Sequence, residues 1–285
     1  MKEMVVLSGK GGTGKTSIVG CFAALAENMV LCDCDVDAAD LHLLLHPQIR
    51  HENEFRSGQT AHIDPEKCTE CGLCQDMCRF DAIHDFAVDP SFCEGCGFCS
   101  HICPEEAILM EENLAGYWYI SDTRYGPMVH ARLGIAEENS GKLVTTVRNQ
   151  ARQLAEEKGI ELAITDGPPG IGCPVISSLS GVNLALIVTE PTLSGMHDLQ
   201  RVVSVCDHFK VPALVCINKY DVNEENATQI EAICKDLGSR VIARIPFDNV
   251  VTEALIQGQS VIEYSSGKVS QSIRKMWQSV SDMLM

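Results

Sequence analysis

Short apolar runs alternate with longer mixed stretches over most of the chain, and this alternation predicts strands separated by helices. Nearly continuous apolar runs of about five residues are typical of strands that are buried on both faces of a parallel sheet. The predicted strands are residues 4–7, 30–35, 162–165, 184–189, 213–217 and 241–245. The predicted helices are residues 15–27, 139–158, 199–209, 224–237 and 250–257. The pattern therefore predicts an α/β fold with a doubly wound, mainly parallel sheet.

The pattern changes from about residue 46 to residue 110, where cysteines are closely spaced and turns are rich in proline and glycine. Strand–helix alternation resumes after this stretch, which indicates an insertion into the α/β domain. We predict a discontinuous domain of residues 1–50 and 111–285 that is interrupted by a small α+β domain of residues 51–110.

The net charge of the chain limits which kinds of partner it can bind. The chain has 39 Asp and Glu residues against 22 Lys and Arg, which gives a formal charge of −17, and it has no basic stripe. This balance argues against nucleic acid or an anionic membrane as the main partner. The chain has no apolar run of about 18 residues and no signal-peptide pattern, so we expect a cytoplasmic protein.

The C-terminal residues 270–285 predict an amphipathic helix with Ile273, Trp277, Val280 and Leu284 on one stripe. Its polar face has few basic residues, so we expect the stripe to dock against the domain and not on a membrane. Residues 117–121 and 128–133 predict a hairpin, whose polar and aromatic side chains include Arg124, His130 and Arg132. These side chains either support the hairpin or contact a partner.

A glycine-rich loop lies directly between the first predicted strand and the first predicted helix. It matches the pattern G-x-x-x-x-G-K-[ST], in which backbone N–H groups and the helix N-terminus hold phosphate oxygens. The predicted nucleotide-binding residues here are Gly9, Lys10, Gly11, Gly12, Thr13, Gly14, Lys15, Thr16 and Ser17. We expect Lys15 to contact the β- and γ-phosphates and the Thr16 hydroxyl to bind Mg²⁺, so ATP or ADP with Mg²⁺ is the predicted ligand.

The early lysine of this loop carries a family resemblance. The run K-G-G-x-G-K-T, with Lys10 as its first residue, resembles the deviant Walker A group of P-loop proteins (SIMIBI type): MinD, ParA, Mrp and the nitrogenase iron protein. The resemblance implies that the chain hydrolyses ATP to ADP and phosphate. It also implies that Lys10 reaches the phosphates of a partner subunit in an ATP-dependent homodimer, or in a heterodimer with a paralogue.

Further motifs follow the family's order along the chain. By resemblance, Asp35 lies in the first switch region and positions the attacking water or the Mg²⁺ shell, which makes Lys10, Lys15 and Asp35 the predicted catalytic residues. Asp166 begins the second switch, D-G-P-P-G, and completes a Mg²⁺ set of Thr16, Asp35 and Asp166. The adenine site is predicted from Asn218, as the reader of the base edge, and from Pro246 and Phe247, packed near the purine.

Two cysteine blocks in the insertion have the same spacing, C-x2-C-x2-C-x3-C. The spacing matches bacterial ferredoxins with two [4Fe–4S] clusters, in which the fourth cysteine of each block serves the other cluster. The predicted ligand sets are Cys68, Cys71, Cys74 and Cys103 for one cluster, and Cys93, Cys96, Cys99 and Cys78 for the other. Zinc is the alternative metal, but the duplicated blocks fit a tetrahedral zinc site poorly. Arg79 stands where a proline often follows the fourth cysteine, and we expect it to alter the turn or the cluster potential.

The remaining cysteines are mostly expected in the core, at Cys21, Cys32, Cys34, Cys206, Cys216 and Cys234. Cys173, after the second switch, is predicted to be a small packed thiol. The alternative for Cys173 is a bridging cluster at a dimer interface, by resemblance to the nitrogenase iron protein.

Together these features favour an ATP-gated protein that transfers electrons to, or assembles a metal cofactor on, a partner protein. Two other functions stay open. One is a non-redox scaffold or carrier for an iron–sulfur or metal cofactor, and the other is a positioning ATPase like MinD and ParA. A dehydrogenase is not supported, because the glycine loop is of the phosphate type and no second dinucleotide motif is present.

Overall fold

The computed structural model of the chain describes residues 1–134 and 140–284. Its strands are β1 (Lys2–Ser8), β2 (Met29–Asp33), β3 (Gln48–Ile63), β4 (Ile83–His84), β5 (Ala87–Val88), β6 (Ile108–Thr123), β7 (Gly126–Leu133), β8 (Leu162–Pro169), β9 (Leu184–Thr189), β10 (Ala213–Asn218) and β11 (Arg240–Ile245). Its helices are α1 (Lys15–Ala23), α2 (Leu41–Leu45), α3 (Leu73–Asp76), α4 (Phe98–Ile102), α5 (Ser140–Lys158), α6 (Cys173–Leu179), α7 (Leu193–His208), α8 (Glu224–Asp236), α9 (Val250–Ile256), α10 (Val261–Tyr264) and α11 (Lys268–Leu284).

Within the described residues, nine strands form one sheet in the order β11-β10-β9-β1-β8-β2-β7-β6-β3. The neighbouring pairs from β11 to β7 are parallel, with β1 between β8 and β9. Strands β6 and β7 are joined through Arg124 and Tyr125 and form the predicted hairpin. The prediction of an α/β fold with a mainly parallel sheet is confirmed. Its consequence is that the loops after β1, β2 and β8 meet at one edge of the sheet.

The central strand β1 shows why helices cover both faces of the sheet. Successive side chains of a strand point to opposite faces. Met4 and Val6 belong to a core shared with α1 and α11, while Val5 and Leu7 belong to a second core shared with α6, α7 and α8. Because all four side chains are fully buried, the strand reads as a continuous apolar run.

The docking predicted for the last helix is confirmed. Ile273, Val280 and Leu284 of α11 are buried in the core that contains α1. The ring of Trp277 packs on that of Phe22 with 4.9 Å between the centroids. The apolar stripe is therefore covered by the chain itself. The predicted last residue of this helix, Met285, lies outside the described residues.

The chain divides into two compact units. The first comprises Met1–Asn53, Trp118–Arg132 and the residues from Ser140 onward. The second comprises Glu54–Tyr117 with Leu133 and Gly134, and it contains the antiparallel pair β4–β5, the short helices α3 and α4, and a small apolar core. We refer to them as the P-loop unit and the cysteine unit.

The sequence pattern missed two long strands and misplaced the start of one helix. Strands β3 and β6 are 16 residues long but carry mostly polar, exposed side chains, so no apolar run marks them. Helix α7 begins at Leu193 and not at residue 199, because its first turn is largely exposed and shows no apolar period. Its start is marked by Thr192, whose side chain accepts a hydrogen bond from Gly195 N. For α5, the predicted first residue, Asn139, lies outside the described residues.

The six cysteines that were predicted in the core are all buried. Burial raises the pKa of the Cys216 thiol to about 12, which leaves it protonated and inert at neutral pH. The prediction for Cys173 is wrong, because this thiol is exposed at the first residue of α6. The helix buries Val175 and Leu179 on its inner face, and that orientation leaves Cys173 outside.

Candidate nucleotide-binding and cluster-binding sites

The glycine-rich loop connects β1 to α1, as predicted, and neighbouring elements hold it closely. A Cβ atom on Gly9 would lie 2.2 Å from Cβ of Asp198 in α7, so no larger residue fits without movement. On the other side of the loop, Asn218 Nδ2 donates a hydrogen bond to Thr13 O at 2.8 Å. The loop conformation is therefore set by α7 and by the end of β10, both far away in the sequence.

Asn218, the predicted adenine reader, also has a structural role. Its Nδ2 supports Thr13, and its Oδ1 accepts a hydrogen bond from Lys219 N at 3.0 Å. A carboxamide has a second N–H and a second lone pair, which leaves capacity for a base edge.

The residues predicted for the adenine line one cavity of about 240 Å³. Asn218, Pro246 and Phe247 form part of its wall together with Gly12 and Ser17 of the loop. Asp221 Oδ1 accepts a hydrogen bond from Phe247 N at 2.7 Å, which fixes the loop that carries this exposed aromatic ring. The cavity thus joins the phosphate loop to an aromatic and partly apolar wall, which suits a purine.

Two carboxylates lie side by side at the edge where the loops meet. Asp33 at the end of β2 is in register with Asp166 of β8, and both side chains are buried. Asp33 accepts hydrogen bonds from Asp35 N and Leu41 N, whereas neither carboxylate oxygen of Asp166 has a hydrogen-bond partner among the described residues. Burial and their mutual repulsion raise the pKa of Asp33, and burial raises that of Asp166.

Buried carboxylate oxygens without partners are costly unless a cation or a donor satisfies them. The Thr16 hydroxyl and the Lys15 ammonium lie near enough to oppose the rise in the pKa of Asp166, but neither forms a hydrogen bond of normal geometry with its carboxylate. Thr13 Oγ1 is a second buried atom without a partner among the described residues. These orphaned oxygens fit a hydrated Mg²⁺ beside a phosphate chain, since Mg²⁺ prefers oxygen ligands. Asp33 was missed as a site residue, although its position at the end of a strand was a usable signal.

Lys15 and Asp35 are brought together as a pair. The ammonium of Lys15 is buried and lies 3.9 Å from Asp35 Oδ2. Burial raises the pKa of Asp35, and the charge of Lys15 opposes that rise. Lys15 therefore reaches the carboxylate edge from the phosphate loop, which is the place where a terminal phosphate and a metal ion would meet.

Lys10 lies against its own chain. Its Nζ is 3.4 Å from Glu190 Oε2 and 3.3 Å from Thr192 Oγ1, both after β9. The other oxygen of Glu190 accepts from Lys219 Nζ at 2.6 Å. Glu190 and Lys219 were both missed by the sequence analysis, because single charged residues in loops carry no pattern. The carboxylate of Glu190 thus holds two lysines at the mouth of the loop.

The cysteine unit gathers its eight block cysteines around two cavities. A cavity of about 440 Å³ is lined by five cysteines: Cys74, Cys78, Cys93, Cys96 and Cys99. A smaller cleft is lined by Cys68, Cys71, Cys74 and Cys103. The smaller cleft takes three cysteines from the first block and Cys103 from the second, whereas the larger cavity takes three from the second block together with Cys74 and Cys78 of the first. Both cavities thus combine cysteines of the two blocks, as a crosswise arrangement of two clusters requires.

The two halves of the cysteine unit repeat the same hydrogen bonds. Ala82 N donates to Cys78 Sγ, and Ala107 N donates to Cys103 Sγ, each at 3.4 Å. Asp64 N donates to Ala107 O while Asp89 N donates to Ala82 O, so each half is tied to the other. Amide donors to sulfur stabilise negative charge on thiolate ligands.

Backbone conformation repeats as well. Residues with positive φ stand at equivalent places in the two blocks: Glu70 and Gly95, Gly72 and Gly97, Asp81 and Glu106. At Gly95 the space is also closed, because a Cβ there would lie 2.1 Å from Gln59 O. The loops that carry the cysteines therefore have the same backbone shape in the two blocks, and non-glycine residues hold positive φ at Glu70, Asp81 and Glu106.

Among the described residues, no three His, Cys, Asp or Glu side chains are grouped closely enough to hold one metal ion. A four-iron cluster spreads its thiolate ligands over the corners of a cube, so it requires a cavity ringed by sulfur atoms. The cysteines that line the two cavities and the N–H···S bonds supply donors of the right kind, although the smaller cleft has a volume of only about 20 Å³. The clusters themselves stay a proposal.

Arg124 and His130, two of the three hairpin residues considered as partner contacts, make contacts within the P-loop unit, whereas Arg132 is exposed. The Arg124 guanidinium donates to Leu44 O and to both carboxylate oxygens of Glu263. His130 is buried with Nε2 at 2.9 Å from Ser121 Oγ and its ring stacked on Tyr119. Burial lowers the pKa of His130 to about 4, so the imidazole is neutral. These contacts support the structural role.

Within the described ranges, no helix is long and apolar enough to cross a membrane. The cytoplasmic location expected from the sequence is a separate statement and stays a prediction.

Comparison with known proteins agrees with the loop and sheet. Residues 4–261 match the family described as the CobQ/CobB/MinD/ParA nucleotide binding domain. The uncharacterized protein MJ0578 of Methanocaldococcus jannaschii is 35% identical over 285 residues, which covers 99% of this chain and 97% of that protein. A protein of Oltmannsiellopsis viridis that is named as the septum site-determining protein MinD is 23% identical over 270 residues, covering 92% of this chain and 69% of its own length.

Among solved structures, the septum site-determining protein MinD complexed with Mg-ADP from Pyrococcus horikoshii superposes with a TM-score of 0.62 and 18% identity. The match covers 99% of this chain and 96% of that one. At this identity it supports the fold. The chain therefore belongs to the CobQ/CobB/MinD/ParA family of nucleotide-binding domains and has its α/β P-loop fold with a mainly parallel central sheet.

Proposed function

We propose that the chain is a MgATP-hydrolysing switch whose cysteine unit holds two [4Fe–4S] clusters and serves electron transfer to, or metal-cofactor assembly on, a partner protein. The observation that carries the proposal is that two cavities are each lined by cysteines of both blocks, in a chain with a complete phosphate loop. We take residues 51–110 as the inserted ferredoxin-like domain.

In the nucleotide site, hydrolysis rests on positioning and electrostatics. The loop amides and Lys15 would hold the phosphates, Thr16 and Asp166 would hold Mg²⁺, and Asp35 would orient the attacking water. Asp33 accepts hydrogen bonds from Asp35 N and Leu41 N, and it therefore stabilises the segment that carries Asp35. ATP and ADP differ in charge next to Lys15 and Asp166, so the loops after β2 and β8 would respond to hydrolysis.

ATP binding would also change the partner of Lys10. Its contacts with Glu190 and Thr192 are half-exposed and weak, so they can be exchanged for contacts with another subunit's phosphates. We propose an ATP-dependent dimer, either of two copies of this chain or of this chain with a paralogue.

In the cysteine unit, Cys68, Cys71, Cys74 and Cys103 would hold one cluster, and Cys78, Cys93, Cys96 and Cys99 the other. Such clusters supply one-electron chemistry when bound. The chain's part is to present thiolates, to stabilise them through Ala82 N and Ala107 N, and to keep them at fixed spacing.

The test is anaerobic reconstitution with iron and sulfide, followed by iron counting and by ATPase assays with and without Mg²⁺. We expect about eight irons per chain, as two four-iron clusters require, and phosphate release that depends on Mg²⁺. Cys96→Ser should lower the iron content, and Cys173→Ser is the matched control because it removes an exposed thiol outside the cysteine unit. Zinc in place of iron, or equal loss in both variants, would refute the cluster assignment.

The second candidate is spatial positioning, as the name of the MinD relative suggests for that protein. The comparisons favour this reading over electron transfer, since the named relatives are of the MinD and ParA kind. Helix α11, the last helix, argues against membrane positioning, because its apolar face is buried in the P-loop unit. Co-sedimentation with anionic vesicles or with DNA, in the presence of MgATP, tests it. ATP-dependent pelleting would establish positioning and displace the redox proposal.

A non-redox carrier is the remaining alternative. Iron that leaves the protein for an apo-acceptor during ATP turnover would favour the carrier. Iron that stays bound and changes valence would favour electron transfer.

A further inference from the structure

We infer that the two cluster sites are electrically unequal, and that Arg79 and Glu105 make an added electron prefer the site lined by Cys78, Cys93, Cys96 and Cys99. This inference rests on the proposed function, because it concerns the clusters that these cysteines would hold. We call this site the arginine site, and the one lined by Cys68, Cys71, Cys74 and Cys103 the glutamate site.

The backbone of the two sites offers little basis for a difference. The blocks share their cysteine spacing, their positive-φ positions and their N–H···S bonds. Each site also has one exposed cysteine, Cys71 or Cys96, so water reaches both ligand sets. A difference in reduction potential must therefore come from the side chains that line the cavities.

The side chains that follow the fourth cysteine break the symmetry. After Cys78 come Arg79 and Phe80, and both line the arginine site. After Cys103 come Pro104 and Glu105, and both line the glutamate site. In the repeat, Arg79 corresponds to Pro104 and Phe80 to Glu105. The two residues after the fourth cysteine therefore place a cation at one cavity and a carboxylate at the other.

The sum of the lining charges points the same way. Among the described residues at the arginine site, Arg79 is opposed by Glu94, whereas Glu105 at the glutamate site has no basic residue beside it in the lining. Reduction adds one negative charge to a cluster, so a nearby cation favours it and a nearby carboxylate disfavours it. The electron that reaches the unit then rests more often at the arginine site.

Electron transfer between the two clusters needs no further reactant. One cluster loses one electron and is oxidised, and the other cluster gains that electron and is reduced.

Arg79, Glu94 and Glu105 are all exposed, so solvent screens their effect on the cluster potentials. Exposed charge pairs contribute below about 1 kcal/mol, so we expect each substitution to change the relevant equilibrium constant about threefold. At about 59 mV per tenfold for one electron, this is about 30 mV.

The experiment is an EPR-monitored redox titration of the reconstituted protein and of two charge variants. Arg79→Gln should lower the midpoint of the higher-potential wave and leave the other unchanged. Glu105→Gln should raise the lower wave, so the two variants bring the midpoints together from opposite sides. Lys67→Gln is the matched control, since it removes an exposed cation of the same unit that lines neither cavity.

Single-site variants assign each wave. Arg79→Gln should shift the remaining midpoint in a Cys71→Ser background, which retains the arginine site, and not in a Cys96→Ser background. Equal shifts in both backgrounds, or none in either, would overturn the inference while leaving the clusters in place. If the reconstituted protein without substitutions binds no iron, the proposed clusters are refuted and this inference with them. Should a serine background hold no iron, the two-wave titration of the full protein decides.

Discussion

The nucleotide site and the cysteine unit are built in opposite ways. In the P-loop unit, Asn218 supports Thr13 and Thr192 contacts Lys10, and these partners are 205 and 182 residues apart in the chain. In the cysteine unit, the proposed cluster ligands come from two short blocks with equal spacing and repeated hydrogen bonds. The first site therefore depends on the whole sheet, while the second depends mainly on local turns. A single substitution in one site should therefore change the function of that site and leave the other unchanged.

The largest effect is expected from Lys15→Gln, which removes the buried ammonium at the phosphates. Loss of one group that stabilises developing charge costs about 3 kcal/mol, or roughly a hundredfold in rate. ATP hydrolysis should fall by that factor, while the iron content stays unchanged because Lys15 is outside the cysteine unit. Phosphate release and iron counting check both, with Lys235→Gln on the exposed face of α8 as control. A matching loss of iron would show that the two sites are not independent.

An acid titration sharpens the contrast through His130 of the P-loop unit. The folded state holds this residue neutral, with its pKa lowered from 6.5 to about 4, while the unfolded chain binds a proton below about 6.5. The free energy of unfolding should therefore fall as the pH falls from 6.5 towards 4, by up to about 3 kcal/mol.

The measurement is urea unfolding at a series of pH values. His130→Asn should flatten the decline, and His208→Asn, an exposed histidine of α7, should not. An equally steep decline in the His130 variant would assign the acid sensitivity to other groups, such as the buried Glu3 carboxylate that pairs with Arg148.

Gly95→Ala tests whether the cysteine unit depends on local turns. The substitution adds both a steric conflict with Gln59 O and strain at positive φ, together about 2 to 3 kcal/mol. Gly72→Ala is the matched variant, because its φ is also positive but a Cβ there meets nothing within 4 Å. We expect a clear loss of iron from the first, a slight one from the second, and unchanged ATPase activity in both. Equal losses of iron from the two variants would mean that the strain of positive φ, and not the contact with Gln59 O, causes the loss.

The smallest effect is expected from Glu190→Gln. It removes the carboxylate that holds Lys10 and Lys219, a partly exposed contact worth about 1 kcal/mol. If Lys10 must leave Glu190 to reach a partner subunit, the dimer formed with a non-hydrolysable ATP analogue should become a fewfold tighter in sedimentation velocity. Glu231→Gln, which breaks the surface pair with Arg244, is the control. A weaker dimer would place Glu190 in the interface itself.

Several parts of the fold could be read from the chain because each is encoded locally. The strands of the parallel sheet are buried on both faces and appear as apolar runs, and the loop after β1 follows from its glycines and Lys15. Strands β3 and β6 could not be read, since their exposed polar side chains leave no period to detect. Cys173 was misjudged because its neighbours in the sequence do not reveal which face of α6 it occupies.

The candidate site divides in the same way. Lys10, Lys15, Thr16 and the eight block cysteines stand in motifs whose spacing is itself the chemical requirement. Asp33 and Glu190 do not, because their roles arise from neighbours that only the folded sheet supplies: Asp166 in the adjacent strand, and Lys10 and Lys219 across the mouth of the loop.

The sequence by itself determined that a phosphate loop follows a buried strand and that two equal cysteine blocks interrupt an α/β domain. Short-range spacing suffices for this, since a loop or a turn is made of consecutive residues. Only the tertiary structure decided that Asp33 and Asp166 face each other, that Lys10 pairs with Glu190, and that the last helix covers α1. Packing brings distant segments together, and burial then sets the charge and exposure of what they carry.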